Sequence, residues 1–289
     1  MNEMEEKTSS KKQLTHLAEL LVEFIGFLII WMLLGGIATA AALFLFFDLD
    51  FLDPIPRKLD PYKLLVSQAL SLLAALVTLA IFETKTSTLL RDVVKKIRDT
   101  RISEFLFGAF TSLLIIGGSF LLILFSGAIE LRWISGRPIL TSVPIFFLIG
   151  ITEEVIFRGF LLRSLLKRVS VIPSILISSL LFAAIHAINP HFNLIGFLAI
   201  FISGIVLGIL YFKTNNLSAP IGAHFIWNLL QNLLGFPVSG QALSGVFSVT
   251  YLSDRPWLTG GAFGLEGSVV TILCTLLLMA GLWRISGKL

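Results

Sequence analysis

The chain has 289 residues, 56% of them hydrophobic and only 14% charged, with a formal net charge of +4 and a mean hydropathy of +0.92. A soluble domain carries roughly 25% charged residues, so these proportions exclude an ordinary soluble enzyme. The pI near 9.3 does not point to nucleic acid, because the basic residues fall between long apolar runs, where loop charge at a membrane accounts for them.

The first 16 residues, MNEMEEKTSSKKQLTH, are polar. The apolar run that follows is too long for a signal-peptide core and has no small-residue cleavage site after it, so it is expected to persist as a helix. Eight apolar runs are long enough to be expected as membrane spans, at about 20–47, 63–82, 105–129, 139–162, 171–188, 193–212, 217–236 and 267–284. The first exceeds one perpendicular crossing, which puts Glu19 and Glu23 in the interface. Between the second and third lies an amphipathic stretch, 86–102, with Leu89, Leu90, Val93, Val94 and Ile97 on one face and its bases on the other. That pattern predicts a helix lying on the membrane surface.

Further along, Pro173 and Pro220 fall near the starts of the fifth and seventh spans, where a missing N–H costs little. Gly204 and Gly208 form a GxxxG in the sixth, with Gly196 two turns earlier, and are read as a close helix contact. The short turn INPHFN makes the fifth and sixth spans a tight hairpin, and His191 within it, like His16 near the start, is read as solvent-facing. The single cysteine, Cys274, cannot form an internal disulfide and is assigned to packing.

With the N-terminus inside, the inner segments carry 15 Lys and Arg and the outer segments 6, which favours N-inside and C-inside. The expected fold is therefore all-α, a polytopic membrane helical bundle of about eight transmembrane helices in the cell membrane. Its parts are an N-terminal region 1–138 of three spans plus the amphipathic helix, a four-span core 139–236, and an external loop with the last span, 237–289.

Few strongly polar residues remain at depth: Glu153, Glu154 and Arg158 in the fourth span, His186 in the fifth, and His224, Asn228, Gln231 and Asn232 in the seventh. An ionisable residue in a transmembrane segment marks a functional site by default. Adjacent helical residues point about 100° apart, so Glu153 and Glu154 do not share a face. Glu154 and Arg158 are i,i+4 with the acid first, the favourable order for an ion pair, and are assigned a mainly structural role. Glu153 is left without a partner on its own helix. His224 and Asn228 are also i,i+4, and His186 follows Phe182 by four. From the inner ends of their spans Glu153, His186 and His224 lie roughly 14, 20 and 10 Å deep, close enough for one cluster.

A carboxylate, two imidazoles and an amide facing each other can hold and activate a water. Glu153 would take its proton, and an imidazole and the amide would donate to the oxyanion of an attacked carbonyl. Alternatively Glu153, His186 and His224 would bind Zn²⁺ and acidify the water. The metal-free arrangement is preferred, because two His and a Glu on three helices lack the local rigidity of a zinc helix. Other protease chemistries fare worse. HExxH is absent, and no span offers an Asp pair. A dyad of Ser203 with His224 would leave the acidic pair without a role, and Ser178 and Ser179 beside His186 are expected to bond back to backbone.

Three motifs, E153-E154-V-I-F-R158, F182-A-A-I-H186 and H224-F-I-W-N228, occur in that order on three spans. Together they resemble the CPBP intramembrane metalloproteases, which include type II CAAX prenyl endopeptidases and abortive-infection-like and bacteriocin-immunity proteins. The resemblance covers about 139–236. It implies a membrane-embedded peptidase with Glu153 activating water, His186, His224 and Asn228 completing the site, and Glu154 and Arg158 supporting it. The implied partners are a peptide or protein substrate at the membrane and the lipid bilayer, with no nucleic acid; the site is expected to open toward the cytoplasm. The rival reading is a non-enzymatic immunity or scaffold protein of the same fold, and a transporter is disfavoured by the lack of an internal repeat.

Overall fold

The computed structural model describes residues 3–46, 60–83 and 89–284, with side chains from Leu14 onward except that of Leu89. The end of the first expected span, the loop that follows it, the start of the amphipathic stretch at 86 and the tail beyond 284 lie outside the described residues. The chain is mostly helical. Helix α1 is Glu3–Phe46, α2 Pro61–Ile81, α3 Leu89–Arg98 and α4 Ile102–Ser112; a π-helical turn, Leu113–Gly117, joins α4 to α5, Gly118–Phe125. After strand β1, Ile129–Trp133, come α6, Ile139–Glu154, a π-helix over Val155–Leu162 and α7, Arg163–Leu166. The rest is α8 (Val171–Ile185), a 3₁₀ turn His186–Ile188, α9 (Leu194–Thr214), α10 (Ser218–Leu233), β2 (Phe247–Tyr251), α11 (Pro256–Thr259) and α12 (Val269–Arg284).

Among the described residues six helical segments are long and apolar enough to cross a membrane: Leu14–Phe46, Pro61–Ile81, Ile102–Phe125, Ile139–Leu166, Val171–Ile188 and Leu194–Thr214. The other two expected spans, 217–236 and 267–284, are the 16-residue helices α10 and α12. At 1.5 Å per residue each is about 24 Å long, short of the ~30 Å hydrocarbon core. Helix α10 also carries several polar residues, among them His224, Asn228, Gln231 and Asn232, which are buried inside the bundle. It packs so closely on α4 that a Cβ on Gly108 would lie 1.8 Å from the Ala219 carbonyl oxygen, and one on Gly222 2.1 Å from that of Phe105. Only glycine fits such a seam.

Local sequence sets the helix starts. Asp60 accepts from the backbone N–H of Tyr62 and Lys63 at 2.8 and 3.0 Å, with Pro61 in the first turn, and Asn193 caps α9 by accepting from Gly196 N–H at 2.9 Å. The GxxxG contact of α9 falls on α8: Cβ atoms on Gly204 and Gly208 would meet Ser179 and Ile175 at 3.0 Å. The largest core cluster joins Phe24 and Phe27 of α1 to Phe157 and Phe160 of the π-helix and Phe182 of α8.

The two ends of the bundle differ. At one end α3 docks through the fully buried Val93, which lies against Gly159. Asp92 pairs with Arg163, and Lys96 donates to the Asn215 carbonyl and, at 3.0 Å, to its side chain at the α9 C-cap. Partial burial holds the Lys96 ammonium below the ordinary lysine pKa, against the pull of Glu104. At the other end β1 and β2 pair antiparallel, Ile129 opposite Tyr251 and Trp133 opposite Phe247. This small sheet, unannounced by any run long enough to suggest strands, ties the segment after α5 to the segment after α10.

Candidate active site

Glu153 sits near the C-terminal end of α6, one residue before the backbone enters the π-helix. The i→i+5 bonding of a π-helix turns the chain less per residue than an α-helix, and such segments cluster at functional sites. Here it keeps Arg158 beneath Glu154. Both side chains are fully buried, and the guanidinium donates to Glu154 Oε1 at 2.7 Å. It also donates to the Gly204 carbonyl at 3.1 Å and stacks 4.6 Å from the Phe182 ring centre. The pair expected from spacing is thus present, but Glu154 does more. Its Oε1 also lies 2.8 Å from Nδ1 of His224, so the acid positions the imidazole of a helix 70 residues away.

Both imidazoles have their tautomer fixed from behind. His186 Nδ1 lies 2.7 Å from the Phe182 carbonyl, which can only accept, so Nδ1 carries the proton. His224 Nδ1 faces a carboxylate oxygen that already receives a proton from Arg158, so it too is the donor. This leaves both Nε2 atoms turned to the centre. His224 Nε2 is 3.7 Å and His186 Nε2 3.9 Å from Glu153 Oε2, and that oxygen is buried with no hydrogen-bond partner. Three lone-pair atoms facing one another across these gaps call for a donor between them. A water with two protons meets that need. A zinc ion also suits a carboxylate and two neutral imidazole nitrogens whose rings are held from behind by hydrogen bonds. The spacings exceed the ~3.3 Å between two ligands on a tetrahedral zinc with bonds of about 2.0–2.1 Å, and no group of three or more His, Cys, Asp or Glu among the described residues is arranged as a metal site.

Asn228, one helical turn beyond His224, lines the same cavity as Glu153, His186 and His224; the cavity measures about 490 Å³. The structure therefore gathers all four residues singled out from sequence. Gln231 and Asn232 serve other purposes. Gln231 accepts from Glu266 N–H at 3.1 Å, and Asn232 accepts from Ser142 and donates to the Leu243 carbonyl. Ser203 donates to Ile200 O, Ser179 to Ile175 O and Ser178 to Phe157 O, so each hydroxyl is engaged with backbone.

Sequence reasoning missed Glu266. It is buried, accepts from Trp227 Nε1 at 2.9 Å and from the Ser239 hydroxyl at 2.7 Å and its N–H, and lines the cavity opposite the histidines. A lone acid in the glycine-rich stretch GGAFGLEGS was the available signal. Also missed was the wall supplied by Leu28, Trp31 and Met32 of α1 and Leu64 and Gln68 of α2. The exposed lining residues are Met32, Ile188 and Gln241, and the last two lie at the sheet-bearing end. Phe157, Phe160 and Leu161, which follow Glu153 along the chain toward Arg163, are buried and do not line the cavity.

Residues 135–230, from just before α6 into α10, match the family model for Type II CAAX prenyl endopeptidase Rce1-like proteins. All three motifs fall inside this third of the chain, and the match agrees with the resemblance they carry. The segment is similar to CAAX-protease-like membrane peptidases in general, and the long apolar helices make the chain a multi-pass membrane protein. No curated protein and no solved structure matches it.

Proposed function

We propose that this Rce1-like chain is an intramembrane endopeptidase of the cell membrane, hydrolysing a peptide bond with a water activated by Glu153. The observation that carries the reading is the buried, unpartnered Oε2 of Glu153 facing two Nε2 atoms at 3.7 and 3.9 Å. The water sits among these three atoms. Glu153 takes its proton as the oxygen attacks the carbonyl carbon, and later delivers it to the leaving amine. The Asn228 amide donates to the oxyanion, while an Nε2 lone pair accepts the water's other hydrogen and holds it in line. Glu154 fixes the orientation of His224, and Arg158 balances the charge of Glu154. Should zinc be the resident cofactor, Glu153, His186 and His224 would hold it, and it would lower the pKa of bound water.

The chain crosses the membrane eight times, with α10 and α12 as its short crossings, and both termini are cytoplasmic, as the distribution of Lys and Arg favours. A short helix spans where the neighbouring protein, rather than lipid, surrounds its ends. The substrate is a peptide or protein at the membrane. Glu153→Gln and His186→Ala, at normal protein levels, are expected to abolish cleavage, while Ser203→Ala retains it. Loss with Ser203→Ala and retention with Glu153→Gln would reverse the assignment; no effect of any of them would favour a scaffold.

A further inference from the structure

The distribution of Lys and Arg and the placement of the residues lining the cavity are separate observations, and together they point to the side the substrate comes from. The contacts sort the connecting segments into two ends. Arg101 N–H donates to Ser218 at 3.0 Å, Asn216 to the Asp99 carbonyl at 3.1 Å, Lys96 to Asn215, and Arg163 to Asp92. These bonds gather 89–104, 163–171 and 213–218 at one end. The β1–β2 ladder, the Gly240 N–H donating to Phe263 O at 2.7 Å, and Gly196 lying against Phe263 gather 126–137, 189–196 and 234–268 at the other.

Charge separates these ends. The first carries five bases on 89–104 (Arg91, Lys95, Lys96, Arg98, Arg101), three on 163–171 (Arg163, Lys167, Arg168) and Lys213. The second carries Arg132, Arg137 and Arg255, with Lys63 close by at the start of α2. An excess of Lys and Arg in short loops marks the cytoplasmic side. The cavity reaches from Glu153 and His224 to Ile188, Gln241 and Glu266, all at the base-poor end. Between the site and the basic end stand Phe24, Phe157, Phe160 and Leu161, each no more than 1% exposed.

We infer that this site takes its substrate from the side of the membrane away from the cytoplasm, so that its substrates are polypeptide segments exposed at, or drawn in from, the outer leaflet and not cytoplasmic peptides. The word substrate rests on the peptidase reading above; the side of access does not. The lining suits such a segment. Leu28, Trp31 and Leu64 offer apolar surface, and the Gln68 amide offers a donor and an acceptor for peptide backbone.

The test is thiol accessibility in the full-length chain, in the Cys274→Ser background, expressed in the plasma membrane of a bacterial host and converted to spheroplasts. The probe is a small membrane-impermeant methanethiosulfonate. Gln241→Cys reports the mouth, Ser112→Cys and Ser203→Cys report the depth of the cavity, and Lys95→Cys reports the basic end. The expected result is modification of Gln241→Cys and at least one cavity cysteine in intact spheroplasts, with Lys95→Cys modified only after permeabilisation. Modification of Lys95→Cys from outside, or of the cavity cysteines only after permeabilisation, overturns the inference. So does reaction of Gln241→Cys while neither cavity cysteine reacts from either side. No arm reads cleavage, so an inactive site would sink the peptidase reading and leave the access result standing.

Discussion

Replacing Arg158 by alanine should unfold the protein more readily than any other single change at the site. The guanidinium is fully buried and serves three contacts: Glu154 at 2.7 Å, the Gly204 carbonyl at 3.1 Å and the Phe182 ring at 4.6 Å. Alanine removes all three and leaves Glu154 with His224 alone. Breaking a buried pair by deleting one partner costs about 3–5 kcal/mol. A loss of about 4 kcal/mol is roughly a thousandfold in the folding equilibrium. Arg158→Lys keeps the charge, but a single ammonium does not reproduce the two-pronged reach to Glu154 and Gly204, so it should fall between alanine and the wild type. Glu153→Gln is the counterpart. Glu153 Oε2 has no partner to lose, and an amide of equal size avoids burying a charge, so stability should hold or rise. The assay is the fraction of detergent-solubilised protein that stays monodisperse on heating, together with its level in membranes. The reasoning is refuted if Arg158→Ala matches the wild type, or if Glu153→Gln depletes the protein as strongly as Arg158→Ala.

Gly222→Ala and Gly108→Ala should each push α10 off α4, because the new Cβ meets backbone oxygen at 2.1 and 1.8 Å. Overpacking of this kind costs about 1–3 kcal/mol or more, and cleavage should fall with stability because α10 carries His224 and Asn228; thermal unfolding alongside cleavage checks it. Glu266→Ala leaves Trp227 Nε1 and the Ser239 N–H and hydroxyl without their acceptor, at about 1–3 kcal/mol for each group left unsatisfied. It should loosen 237–267, read as faster limited proteolysis there.

Much of the site was legible because helix spacing and burial act locally. Glu153 without a partner on its own helix, Glu154 over Arg158, and Ser179 bonded back to its own helix all follow from i,i+4 geometry and the cost of polar groups in lipid, and the structure has each of them; Ser178 instead donates to the Phe157 carbonyl of another helix. What escaped depends on contacts between distant segments. Spacing on one helix cannot show that Glu154 also holds His224. Nor does any local pattern announce a π-helix at Val155–Leu162 or the pairing of Ile129–Trp133 with Phe247–Tyr251. Helix α10 was read as an ordinary span from its apolar content, yet its polar residues are buried by neighbours and it runs for only 16 residues.

The central claim is that Glu153 drives hydrolysis of a peptide bond in a membrane-associated polypeptide. The most direct measurement compares new peptide termini, by mass spectrometry, in membranes holding equal amounts of wild-type and Glu153→Gln protein. The account predicts a set of cleavage sites present with the wild type and lost with Glu153→Gln. Identical termini in the two membranes, with both proteins folded, would contradict it.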